Sequence, residues 1–199
     1  MKGAAVLQLK RSLLVFLGLS LICGLFYPLF VLTIAQISFP HESNASLIKS
    51  NDRIIGSQLI GQQFTSSKYF HGRPSATDPP YDGGNSGGSN MAPTNAKFIE
   101  QVKVRVQQVR RENSLAPEAL VPADLVLASA SGLDPHISVN SALLQVHRIA
   151  KERKIAEADL EKIIRQNIEQ PFLGFWGQER INVLQLNLML DIINNKAQK

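Results

Sequence analysis

Hydrophobic positions divide this chain into one unbroken apolar run and a longer stretch of short, patterned segments. Residues 12–39 read SLLVFLGLSLICGLFYPLFVLTIAQISF, 28 positions without a charged residue. At a helical rise of about 1.5 Å per residue the run spans about 42 Å, and a bilayer core needs about 30 Å. It is expected to cross a membrane as one helix with some tilt. Pro28 lies inside it and is expected to kink it, which lipid-embedded helices tolerate. A cleaved signal peptide is the alternative, but its apolar region covers about 7–15 residues and ends at a small-residue cleavage site. This run is longer, and no A-x-A follows it.

Beyond the run the pattern changes. Residues 40–52 (PHESNASLIKSND) are polar and read as a stalk. Residues 53–64 (RIIGSQLIGQQF) carry apolar pairs punctuated by Gly56 and Gly61, which predicts a first strand. Residues 69–77 follow as YFHGRPSAT. Thr94 or Asn95 is placed to cap a helix running to about Glu112, with Phe98, Val102, Val106 and Val109 on one face. Asn113 ends it and Pro117 marks the break. Residues 122–128 fit either a short helical turn or a strand.

Ser138 caps a predicted helix to about Arg153, whose apolar face holds Val139, Ala142, Leu143, Val146, Ile149 and Ala150. A second helix is predicted over 157–166 with Leu160, Ile163 and Ile164 inward. In residues 181–193 (INVLQLNLMLDII), Leu184, Leu186, Leu188 and Leu190 alternate like a strand. Leu186, Met189 and Leu190 also suit a helix, so a strand leading into a terminal helix is expected. The fold class is α+β, one N-terminal transmembrane helix followed by a small mixed α/β domain. The expected organisation is 1–11 cytoplasmic, 12–39 transmembrane, 40–52 stalk, 53–193 soluble domain and 194–199 tail.

Charge orients the span. Lys2, Lys10 and Arg11 precede it, whereas His41 and Glu42 follow it and the next cation is Lys49. Basic flanks stay cytoplasmic. The domain is therefore expected outside, on the periplasmic face of a bacterial inner membrane. Of 21 basic residues three sit in the cytoplasmic flank, which leaves 18 against 16 acidic ones and a soluble part near +2. No concentrated basic stripe marks a nucleic-acid footprint. The single cysteine, Cys23, lies in the span, so no disulfide staples the domain.

Candidate chemistry is sparse. His41, His71, His136 and His147 do not fall at metal-ligand spacing, and no metal site is expected. Residues 78–95 (DPPYDGGNSGGSNMAPTN) lack the G-x-x-x-x-G-K-[ST] of a phosphate loop. Tyr81, Met91 and the prolines interrupt their glycines, so an ordered, functional loop is favoured over a plain linker. Ser129, Ser131, Asp134 and His136 invite a hydrolase reading, but the nucleophile elbow is absent and turn chemistry accounts for each residue. Gln145 lies beside an apolar helix face and reads as a boundary residue with a surface-bonded amide. Phe172, Phe175 and Trp176 crowd residues 170–180, and either core packing or a partner contact explains them.

Four blocks in order, YFHGRPSAT, YDGGNSGGSNMAPTN, VPADLVLASASGLDPHIS and PFLGFWGQERINVLQLNLMLD, resemble the signature segments of the KdpC family. These are C subunits of the Kdp potassium-transporting ATPase. The resemblance runs from about residue 10 to 193, with ASASGLDP where the family commonly has ASGSGLDP. It implies a non-catalytic accessory subunit of an ATP-driven potassium import complex. That role includes assembly and raising the ATP affinity of the catalytic subunit. The implied partners are a channel-like potassium-selecting subunit, a P-type ATPase subunit, a small single-span subunit and membrane lipid.

By motif, the resemblance places nucleotide at Gln145, with Ser129, Ser131 and Gly132 in the turn before it. No cofactor other than this implied ATP is expected. Flanking charge pulls the other way, since it puts the domain outside while ATP is inside. A cap on the outer mouth of the potassium-selecting subunit is then expected. Gly83, Gly84, Asn85, Gly87, Gly88, Phe172, Phe175 and Trp176 would be its contacts. A membrane-anchored hydrolase and a generic scaffold are the alternatives.

Overall fold

The computed structural model describes residues 2–50 and 53–197. They form two compact units that divide between Leu47 and Ile48.

In the first unit, α1 (Lys2–Leu21) passes through a π-helical turn (Ile22–Phe26) into α2 (Tyr27–Ser38). The continuous apolar stretch Gly3–Ser38 has 36 residues and buries none of its most apolar window. That length crosses a hydrocarbon core. Pro28 acts one turn upstream of itself. It lacks the N–H that would close on the carbonyl four residues earlier, and the helix there widens into the π turn. Phe39, at φ −137° and ψ 60°, leaves the helical region and ends α2, and Pro40 opens the short α3 (Pro40–Ser43).

The second unit opens with a two-stranded ladder of β1 (Leu47–Ser50) and β2 (Arg53–Ser57). The strand expected over 53–64 stops at Ser57, whose hydroxyl accepts the Leu59 amide at 3.0 Å and turns the chain. Gly61 then donates to the Leu133 carbonyl at 2.8 Å. A Cβ on Gly61 would meet the Tyr81 ring at 2.4 Å.

Helix α4 (Ala96–Glu112) forms as its sequence predicts. The Asn95 side chain accepts from the Lys97 and Phe98 amides at its start. At its end the Asn113 side chain donates to the Val109 carbonyl at 2.9 Å. Residues 122–128, open between turn and strand, contain a 3₁₀ turn (Ala123–Leu125).

β3 (His136–Ile137) pairs antiparallel with β4 (Ile181–Asn182), His136 opposite Asn182 and Ile137 opposite Ile181. Ser138 caps α5 (Val139–Leu144). Asp124 fixes that cap, accepting from the Ser138 amide and the Ser141 hydroxyl, each at 2.6 Å. The single helix expected from 138 to 153 is interrupted at Gln145 (φ −87°, ψ −7°) and resumes as α6 (Val146–Arg153). Lys154, left-handed at φ 57°, closes α6, and α7 (Glu157–Gln166) follows as predicted.

The C-terminal segment corrects the alternating-leucine reading. Only Ile181 and Asn182 are strand, and α8 (Val183–Ala197) takes the rest. Val183, Leu186, Asn187 and Leu190 are buried at helical spacing. Met189 points outward on the same helix. Leu186 and Leu190 join Phe70, Ile137, Ile149, Leu160, Ile164 and Ile181 in one core. That core ties α5–α8 to the short β3–β4 ladder and to the extended segment around Phe70.

Candidate functional site

The segment 70–77 (FHGRPSAT) has no regular structure, yet side chains from distant parts of the chain fasten nearly every step of it. The Asn187 amide clamps Phe70, accepting from its N–H at 2.8 Å and donating to its carbonyl at 3.0 Å. Gln145 clamps His71 in the same way, at 2.8 and 3.1 Å. Such paired amide contacts replace the ladder bonds this strand-like backbone lacks.

Gln145 is 1% exposed. Its Nε2 also donates to the Ser141 carbonyl at 3.2 Å, and its Oε1 accepts from Arg148 Nη2 at 2.7 Å. Both amide protons and both carbonyl lone pairs are thus engaged. The boundary position expected for Gln145 is corrected: the break between α5 and α6 turns it inward. A buried carboxamide must find partners, and the His71 backbone supplies two of them.

Arg148 was not visible as a site residue from sequence. Its guanidinium donates to Asn113 Oδ1 at 3.0 Å, to the Tyr69 carbonyl at 3.0 Å, to the Ser67 carbonyl and to Gln145. Burial pushes its pKa down, against the pull of Glu112 and Glu152. His71 feels the same surroundings. Burial, then the Arg148 charge, lower its pKa, although the Ser66 carbonyl and Glu112 oppose them. His71 Nδ1 stands 3.5 Å from Glu112 at the end of α4. A cleft of about 340 Å³ opens here, lined by His71, Arg73, Tyr81, Arg105 and Glu112 among others.

The far half of the segment holds the Gly-rich loop. Arg73 bonds Asp134 at 3.0 Å and reaches the Leu127 and Ala128 carbonyls. Burial alone would raise the Asp134 pKa, but His136 hydrogen bonds and the Arg73 charge hold it below the usual range. Ser75 donates its hydroxyl to the Gly132 carbonyl at 2.7 Å and accepts the Tyr81 amide at 3.0 Å. The Tyr81 hydroxyl donates to the Arg73 carbonyl at 2.6 Å. The loop itself is docked. Gly87 donates its amide and Ser86 its hydroxyl to the Ser131 carbonyl, at 2.9 and 3.1 Å. Gly83, Gly84 and Asn85 lie exposed on its outer side, while Gly87 and Gly88 are half-buried against the 129–132 turn.

Gly132 is the one position in this contact that requires glycine. It sits at φ +69°, and a Cβ there would stand 2.6 Å from the Gly87 carbonyl oxygen. Gly132→Ala is expected to cost about 1–3 kcal/mol through its left-handed backbone alone. It should also prise the loop away, which amide hydrogen exchange at Gly87 will report as lost protection. Burial raises the Tyr81 phenol to about 12. A folded pKa above the unfolded value of about 10 stabilises fully below pH 10 and is lost as pH rises toward 12. The thermal midpoint is therefore expected to fall more steeply over that window in the native chain than in Tyr81→Phe.

Of the hydrolase constellation, Asp134 and His136 come together, but among the described residues no serine hydroxyl is bonded to His136. His136 faces Asp134 through Nδ1 and Glu169 through Nε2, each at 3.4 Å. The Ser129 and Ser131 hydroxyls lie 3.3 Å apart and accept the Gly132 and Leu133 amides. Nor do the residues matched to nucleotide fit it. Gln145 has no free amide position, the Ser129 and Ser131 hydroxyls accept backbone amides, and the Gly132 amide already donates to a protein oxygen. A phosphate cradle needs such amides unspent. Phe172, Phe175 and Trp176 resolve one open choice: at 69, 76 and 71% exposed they are not core.

The family described as KdpC: K+-transporting ATPase, c chain, matches residues 9–192. Proteins named potassium-transporting ATPase KdpC subunit are similar over nearly the whole length. One from Rhodopseudomonas palustris (strain BisB18) is 45% identical, with 92% of this chain and 97% of the relative covered. One from Photorhabdus laumondii is 45% identical, at 97% and 100% coverage. One from Methylobacterium nodulans is 45% identical, at 95% and 98%.

Proposed function

The chain belongs to the KdpC family, and from that premise we propose that it is a non-catalytic accessory subunit of an ATP-driven potassium-import complex, needed for the complex to assemble. Its one apolar helix Gly3–Ser38 anchors it as a single-pass membrane protein. Lys2, Lys10 and Arg11, at the N-terminal end of that helix, keep the N-terminus cytoplasmic and put the domain on the periplasmic side. The domain caps the outer mouth of the potassium-selecting subunit. It meets that subunit through the exposed rim of the Gly-rich loop, Gly83, Gly84 and Asn85.

The observation that carries this reading is how the candidate site spends its polar groups. Gln145, Arg73 and Gly87 are bonded to the domain's own backbone, which suits a rigid docking surface. Any gain in ATP affinity is then produced inside the ATPase subunit, by favouring the conformation that binds nucleotide. It needs no nucleotide contact with this chain.

A tagged full-length chain, purified from membranes in mild detergent, should bring a P-type ATPase subunit with it. Deletion of residues 83–90 should reduce that recovery. Protease added to intact spheroplasts should digest the domain, and inside-out vesicles should protect it. Recovery without any ATPase sinks the assembly role, and the reverse protease pattern sinks the periplasmic cap.

A further inference from the structure

Residues 169–180 form a hairpin whose polarity changes along its length. At the stem, Glu169 and Arg180 exchange backbone bonds of 2.9 and 3.2 Å and pair through their side chains at 2.9 Å. Gln170 reaches Glu179 at 3.1 Å. At the tip, Phe172 and Trp176 exchange bonds of 3.0 and 2.9 Å around a turn with Leu173 at φ 55° and Gly174 at φ 80°. Residues 171–177 (PFLGFWG) contain no charge. Leu173 is 69% exposed, as open as the three aromatics beside it. Four large apolar side chains thus sit in water at the end of a stem laced with charge. Nothing in the domain's own packing accounts for them.

Chain length bounds where this tip can go. Residues 39–46 link the apolar helix to β1 and span at most about 30 Å when fully stretched. The base of the hairpin is fastened to the segment just after β2. Asn182, at its base, donates to the Gln58 carbonyl at 2.8 Å, one residue past β2. The short linker keeps the domain that carries this tip close to the bilayer its span crosses. Aromatic side chains with an apolar body and a polar edge settle at the headgroup level of such a surface. A wet, charged stem below an uncharged tip matches that gradient.

We propose that the hairpin tip, Phe172, Leu173, Phe175 and Trp176, is a second membrane anchor that seats in the interfacial layer of the bilayer crossed by the N-terminal helix. It gives the domain a second attachment to the membrane besides the N-terminal span. This requires only the span, and it holds on whichever side the domain lies.

Trp176 is the sole tryptophan, so the full chain carries its own probe. In phosphatidylcholine nanodiscs its emission should shift to the blue. Lipid brominated near the headgroup end of the acyl chains should quench it, and acrylamide should quench it weakly. Phe172→Ser with Leu173→Ser should lower the inserted-to-free ratio at least about tenfold, the change carried by one buried side chain of this size. Because both positions are exposed, the thermal midpoint in detergent should stay unchanged. Water-like emission open to acrylamide and untouched by brominated lipid overturns the proposal. So does a blue shift that needs the partner subunits and resists lipid quenching, which assigns the tip to a protein pocket.

Discussion

Arg148→Ala is expected to destabilise the domain by about 3–5 kcal/mol, the range for removing one member of a buried charged network. The side chain is almost completely buried, with no carboxylate in direct contact. Its charge is held by four oxygens, those of Asn113, Ser67, Tyr69 and Gln145. Truncation takes a donor from each of the four, although Gln145 Oε1 keeps the His71 N–H, and each acceptor left buried and unsatisfied costs about 1–3 kcal/mol unless water enters. The contacts join α4, α6 and the loop before the 70–77 segment, so the loss should spread to all three. Arg148→Lys should recover little of it, because one ammonium cannot reproduce the planar fork. Thermal unfolding of the full chain in detergent, followed by far-ultraviolet circular dichroism, measures both variants. A lysine variant as stable as the native chain would mean that charge alone matters here.

The sequence carried the helices well because their signals are local. The Asn95 and Ser138 caps and the apolar faces of α4, α6 and α7 lie within a few residues of the elements they specify. The charge-free stretch was equally legible. The strand at 53–57 was legible too, but β3 and β4 were not, since they are two residues each and owe their pairing to partners more than 40 positions apart. The leucines of α8 fit both periods, and only burial of Leu186, Asn187 and Leu190 against the core separates them. Within the site, the family blocks marked the right segments but not the bonds between them. That Tyr81 props Arg73, or that Arg148 reaches Tyr69, is a property of the folded chain. One clue to Arg148 was present: it stands three residues after Gln145, one turn on along the chain.

Gln145→Ala separates the two meanings of the glutamine. If it holds the His71 backbone, its removal strands the His71 amide and carbonyl and one arm of Arg148. The expected cost is about 2–4 kcal/mol of domain stability. Gln145→Glu should lie between the two. A carboxylate keeps the bonds from His71 N–H and Arg148 but cannot donate to the His71 and Ser141 carbonyls, which then face like-charged oxygens. Both variants should lower recovery of the potassium-transporting complex as temperature rises. In the complex that survives, the ATP concentration for half-maximal hydrolysis should equal the native value, since no atom of Gln145 is free to meet nucleotide. The decisive measurement is that ATP titration, made at a temperature where circular dichroism shows Gln145→Ala fully folded. A weakened ATP response under those conditions would return the glutamine to the nucleotide and force the 70–77 segment to open in the working complex. An unchanged response with a lowered thermal midpoint leaves it as the clamp that keeps His71, and through it the Gly-rich face, in place.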